Sequence, residues 1–154
     1  DDSDIPPAYG APGNLNLVPH GIGMILYNED DEQQRLRFRG FFEHGYKQGL
    51  GMMEWQDGAQ YCGTWFNALP HGYGEERYPD GSVYQGQLQF DLRHGLGALT
   101  RTVPPASLVT CAGEWRMGMQ HGVAIETIQE MGGEATQMFS LYRKGEVVQS
   151  TRGE

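Results

Sequence analysis

Positive charge is scarce in this 154-residue chain, with 11 Lys and Arg against 20 Asp and Glu and a formal net charge of −9. Nucleic acids and anionic bilayers attract basic surfaces, so neither is the default partner of so acidic a chain. Cysteine is scarcer still: Cys62 and Cys111 are the only two. Such a pair builds no disulfide framework, and free thiols in a reducing, intracellular setting are the expectation. No apolar run approaches the roughly 18 residues that a membrane-spanning helix needs. Its opening residues do not read as a secretory leader, and none is expected. The first residue is Asp1 rather than methionine, so the chain is expected to be a piece of a longer protein, and a catalytic domain could lie outside it.

What the chain has in quantity is glycine, 23 residues of it, and the glycines keep time. Between Tyr61 and Val83 the sequence reads YCGTWFNALPHGYGEERYPDGSV. Stepping back 23 residues lays Phe38, Gly40, Phe42, Gly49, Gly51, Asp57 and Gly58 onto Tyr61, Gly63, Trp65, Gly72, Gly74, Asp80 and Gly81. Stepping forward 23 lays Tyr84, Gly86, Leu88, Gly95 and Gly97 on the same frame. A fixed period of this length marks a tandem array of small supersecondary units.

In each unit the first half alternates around a glycine, as in Tyr61 to Trp65, and the second half, as in Gly72 to Tyr78, is another short strand. The unit is therefore a β-hairpin. Alternation puts Tyr61, Gly63 and Trp65 on one face. Successive units then build two columns, Phe38, Tyr61, Tyr84, Cys111 and Met138 in one and Phe42, Trp65, Leu88, Trp115 and Tyr142 in the other. Gly-x-Gly recurs at 21/23, 49/51, 72/74 and 95/97, which points to positive φ or to close approach of another segment. Ile22, Leu50, Tyr73 and Leu96 fill its centre and are always apolar. The Asp-Gly steps at 57/58 and 80/81 signal turns.

These residues make the unit resemble the MORN repeat, whose pattern is roughly Y-x-G-x-W-x-x-G-x-x-x-G-x-G followed by Asp-Gly. The resemblance covers about residues 19–145, with units near 19–37, 38–60, 61–83, 84–110 and 111–137 and a half unit at 138–145. The fifth copy starts at Cys111 and runs on through Gly113, Trp115, Gly118 and His121-Gly122, with Ala124 where the second glycine belongs; in the sixth, Met138, Ser140, Tyr142 and Gly145 stand for Y, G, W and G. The first copy keeps only His20-Gly21-Ile22-Gly23. Departures at the ends suit caps. Residues 1–18, with Pro6, Pro7 and Pro12, read as an extended arm, and 146–154 as a tail in which Glu146 to Gln149 could add an edge strand. Thr102 to Val109 is an insertion, because Pro104-Pro105 cannot continue a ladder.

The expected fold is all-β: an elongated, single-layer, twisted antiparallel sheet of tandem hairpins, about 50 Å long at two strands of roughly 4.8 Å per unit. A single layer cannot sandwich its rings. An aromatic groove lined by Phe38, Phe42, Tyr61, Trp65, Tyr84, Leu88, Trp115 and Tyr142 is thus expected to stay open to a partner.

Catalytic chemistry finds no foothold. His20, His71, His94 and His121 share one repeat position, but equivalent positions on successive hairpins lie roughly 10 Å apart, too far to converge on one metal ion at about 2.1 Å. His44 stands at another position and is also read as structural. Neither cysteine has a partner histidine at its own position, and each Gly-x-Gly opens a strand, unlike a phosphate loop. Neither a metal nor a cofactor is expected. Arg35, Arg37 and Arg39 alternate on one strand and are expected to share a face. They are either balanced by Glu29, Asp30, Asp31 and Glu32 upstream or form an anion contact.

The reading is a non-enzymatic interaction module whose groove binds a helical or extended segment of another protein, or a second copy of itself. The resemblance implies scaffolding in the cytoplasm, near the cytoskeleton or the inner face of a membrane. Two alternatives remain: a regulatory array attached to a larger enzyme, and a module binding phosphoinositides or other anionic lipids.

Overall fold

The computed structural model describes residues 18–104 and 106–153; the arm expected over 1–18 lies outside them except for Val18. Eleven strands form one open sheet and no helix is present among the described residues. They are β1 (Gly21–Leu26), β2 (Arg35–Glu43), β3 (Tyr46–Trp55), β4 (Gln60–Phe66), β5 (Leu69–Arg77) and β6 (Val83–Gln89). After them come β7 (Leu92–Val103), β8 (Ser107–Arg116), β9 (Met119–Glu130), β10 (Ala135–Arg143) and β11 (Glu146–Arg152). Strand order equals chain order and every neighbour is antiparallel. The single layer of hairpins is therefore present.

Each repeat is one hairpin, closed by a two-residue turn with both central residues at positive φ. The turns are His44-Gly45, Asn67-Ala68, Phe90-Asp91, Met117-Gly118 and Lys144-Gly145. This backbone matches the twist of the flanking strands. The Asp-Gly steps lie elsewhere, between units. There the Asp57 and Asp80 carboxylates accept hydrogen bonds from the amides of Ala59 and Ser82, at 2.9 Å each.

Two expectations about boundaries change. The last copy is a whole hairpin, β10 with β11, since Met138 to Arg143 pair with Glu146 to Arg152. The insertion at 102–109 is mostly strand as well: Thr102 pairs with Leu108 and Val103 with Ser107, so it lengthens the β7/β8 hairpin. Among the described residues the array is thus one half unit, β1, followed by five complete hairpins.

The two glycines of Gly-x-Gly meet two separate demands. The first takes positive φ, 69° at Gly49, 92° at Gly72 and 67° at Gly95, where a side chain is strained. The second lies beneath the position-one ring: a Cβ on Gly51 would sit 2.5 Å from Phe38 Cζ, and on Gly74 or Gly97 it would run into Tyr61 or Tyr84. Inside a hairpin the register shifts just beyond this glycine pair, as between Gly63–Gly74 and Trp65–Pro70. The amide of Tyr73 is taken up there by Thr64 Oγ1 at 3.0 Å, and that of Leu96 by Gln87 Oε1 at 2.8 Å.

Candidate partner-binding surfaces

The sheet has two faces, and the inner one holds the columns. Phe38, Phe42, Tyr61, Trp65, Tyr84, Leu88, Trp115 and Tyr142 are all buried, between 0% and 8% exposed. The open aromatic groove is corrected accordingly. Phe38, Tyr61 and Tyr84 lie over the glycines of their own hairpins, and rings of adjoining units lock against them: Phe38 and Trp65 have centroids 5.1 Å apart at 80°, and Tyr84 and Trp115 are 5.4 Å apart at 80°. Such edge-to-face pairs add about 0.5–1.5 kcal/mol beyond burial. Tyr61 and Tyr84 donate their hydroxyls to the carbonyls of Thr64 and Gln87, both at 2.8 Å, and Trp115 Nε1 donates to the Gly97 carbonyl at 3.1 Å.

Two cations complete the cover. Lys47 pairs with Phe42 across the hairpin, and its Nζ lies 4.9 Å from the Trp65 ring and 5.5 Å from Phe38. Burial of Lys47, with Arg35 nearby, pushes its ammonium pKa down to about 7, although Asp91 and Asp31 pull the other way. Arg93 holds the equivalent place opposite Leu88 and lies 4.8 Å from the Tyr84 ring and 5.0 Å from Trp115. It also bonds Glu76 and the Tyr78 hydroxyl. Burial, with the Glu76 carboxylate beside it, raises the Tyr78 phenol to about 12.

The three arginines do not share a face. A register shift between Arg35 and Arg37 turns Arg35 inward, where it is buried, lies 4.3 Å from the Tyr27 ring and pairs with Asp31 at 2.7 Å. Arg37 and Arg39 point outward and both pair with Glu54, at 2.7 and 3.1 Å. Strict alternation hid the bulge. Of the four upstream acids, Asp31 is the one that folds back onto the strand, also accepting the amides of Gln33 and Arg35.

The histidines are spread along one side of the array. His20 stacks edge-on against His44 with centroids 5.6 Å apart, and His71 sits between Phe66 and Phe90 at 5.6 and 4.8 Å. Cys62 is exposed, Cys111 is buried, and both are free thiols.

The outer face carries the apolar residues that the columns do not use. The centre of every Gly-x-Gly points out: Ile22 is 81% exposed, Leu50 63%, Tyr73 66% and Leu96 63%, and Val123 in the diverged fifth copy is 61% exposed. Pairing sets them in a single row across the sheet. Ile22 lies opposite Phe41, Leu50 opposite Thr64, Tyr73 opposite Gln87, Leu96 opposite Glu114 and Val123 opposite Leu141. Shallow hollows notch the row, one lined by His20, Phe41 and Gln48 and another by His94, Glu114, Arg116 and His121. Sequence reasoning noted that the central residue is always apolar but assigned it no role. Its setting between a positive-φ glycine and a ring-covered glycine was the available signal, because a buried role was already filled by the columns.

One layer of tandem hairpins with an interlocked ring column defines a single-sheet β-repeat protein. The MORN repeat model matches residues 38–60, 61–83, 84–102 and 111–128, more than half of the chain, and the chain belongs to the MORN-repeat family. MORN repeats in general serve as modules for contact with proteins or lipids. Alsin of Homo sapiens and Alsin of Pan troglodytes are each 31% identical to it over 80 residues, 50% of this chain and 5% of theirs. The chain therefore spans only a small part of the length of those curated relatives.

Proposed function

We propose that this array is a non-enzymatic interaction module that takes a helical or extended segment of another protein, or a second copy of itself, on its outer face. The observation that carries this reading is the row of apolar side chains at the Gly-x-Gly centres, 61–81% exposed on alternate strands. Evenly spaced apolar residues left this exposed add little to a core that the columns already complete, and an exposed stripe of this kind marks an interaction site. A buried column and an exposed row divide the labour between the two faces. The anionic-lipid alternative loses support, because Glu54 is shared by Arg37 and Arg39 and Arg35 faces inward. The setting expected from the family, a cytoplasmic scaffold near cytoskeleton or membrane, remains part of this proposal, as does regulation of an enzyme carried in the same polypeptide.

The test compares capture of protein partners by the full chain and by Leu50→Lys, Tyr73→Lys and Trp65→Ala. The two outer-face changes are expected to abolish capture with melting temperatures unchanged. Trp65→Ala is expected to lower stability by about 3–5 kcal/mol, the usual cost of truncating a buried aromatic. Capture that survives both lysine substitutions would remove the outer face as the site.

A further inference from the structure

The outer row has a symmetry of its own. β6 is the middle of the eleven strands, with five on either side. A copy turned by 180° about an axis along β6 and laid on this face puts β5 over β7, β3 over β9 and β2 over β10. Tyr73 then meets Leu96, Leu50 meets Val123 and Phe41 meets Leu141, apolar against apolar. Thr64 meets Glu114 and Gln87 meets its own counterpart, polar against polar. In the next row, traced from Arg39 through Met52, Cys62, Glu75, Gln85, Ala98, Ala112 and Ile125 to Phe139 by continuous pairing, Met52 falls over Ile125 and Cys62 over Ala112, apolar against apolar, and Gln85 meets its own counterpart. Its two charged members, Arg39 and Glu75, fall over Phe139 and Ala98, so no like charges oppose each other, a clash that would cost several kcal/mol.

Area and twist point the same way. Eleven strands make a face roughly 50 Å long, and three same-face residues cross it over roughly 15–20 Å, on the order of 800 Å² in all. That matches the area a standard interface covers on each partner. Two sheets with the same hand of twist pack with strand directions within about 30° of each other, whereas a straight helix leaves a twisted face after a few strands.

We infer that the outer face is a self-complementary interface, on which two copies of this chain stack antiparallel about a two-fold axis along β6. This rests on the outer face being the interaction surface and names its occupant.

Sedimentation velocity of the full chain from about 1 to 100 μM tests it, the range in which a standard-size interface is resolved. The wild-type chain is expected to form a dimer. Tyr73→Glu and Leu96→Lys, both at exposed positions, are each expected to weaken self-association at least tenfold with unchanged melting. An equimolar mixture of the two variants is expected to recover a mixed dimer, since the new acid on one chain then meets the new amine on the other while the native Leu96–Tyr73 contact remains. A wild-type monomer at 100 μM, a dimer indifferent to both substitutions, or a mixture that stays monomeric would each overturn the inference. A wild-type monomer whose capture of another protein is still lost in Tyr73→Lys would sink self-association alone and leave the outer face standing as an interaction site.

Discussion

Two residues sit where their chemistry is at odds with their surroundings. Ala68 is the second turn residue of the β4/β5 hairpin at φ 66°, a place that Gly45, Gly118 and Gly145 hold in three other hairpins. A side chain in the left-handed region costs about 1–2 kcal/mol, offset in part by the greater freedom that glycine has when unfolded. Ala68→Gly is therefore expected to stabilise the chain by roughly 0.5–1 kcal/mol in urea unfolding. A neutral or negative change would mean that the turn holds no strain. Lys47 is the second. Its folded pKa of about 7 lies below the unfolded 10.5, so between those values the unfolded chain binds more protons and stability rises with pH. Below about pH 7 both forms are charged and the burial penalty is felt in full. Lys47→Met is thus expected to gain stability relative to wild type at pH 6, and the gain should shrink by on the order of 3 kcal/mol towards pH 10. A difference that does not vary with pH would show that the ammonium is charged throughout, held by the Phe38 and Trp65 rings.

At the scale of the hairpin, one strand's ring dictates the other strand's glycine. Tyr61 covers Gly74 and Tyr84 covers Gly97, leaving no room for a Cβ. In the fifth copy Cys111 replaces the ring, and Ala124, 2% exposed, takes the glycine's place against it. The two departures from the repeat are one exchange of volume. Gly74→Ala alone is expected to destabilise by about 1–3 kcal/mol through overpacking, and Tyr61→Cys alone through the void it leaves. The double variant should be better than the sum by at least about 1 kcal/mol, a coupling that a double-mutant cycle on denaturant unfolding measures. Strict additivity would disprove the exchange. The hairpins themselves were legible, because period-two alternation and a fixed interval need no tertiary knowledge. The register shift that turns Arg35 away from Arg37 and Arg39 was not, since a bulge breaks alternation without any residue type announcing it. The burial of the rings was not legible either. Whether Trp65 lies open depends on how Phe38 and Lys47 lean over it, and a column of names gives positions without directions.

Among the described residues the main contacts of each hairpin are with its neighbours, and the inner column is not continuous. One buried cluster runs from Ile25 through Phe38, Tyr61 and Tyr84 to Trp115, and a separate one holds Cys111, Ala124 and Tyr142. The break falls where position one changes from a ring to Cys111, so no edge-to-face stack carries the column into β9 and β10. What replaces it is polar: Tyr142 and Ser140 both donate to Glu126, at 2.7 and 2.8 Å. β11 closes the array with all seven residues exposed. In arrays of this kind stability is close to a sum of unit and neighbour terms, so the weak junction should also be a joint between folding units. Hydrogen exchange of the full chain is expected to show the amides of Ala124, Ser140 and Tyr142 exchanging well before those of Phe38, Met53 and Tyr61, through a subglobal opening that leaves the first cluster intact. Tyr142→Ala should lower the free energy of that opening by about 2–4 kcal/mol and leave the protection of β2 to β6 unchanged. Equal protection in both regions, or a loss in β2 to β6 that matches the loss in β10, would mean that the sheet opens as one body and that the break in the ring column has no energetic consequence.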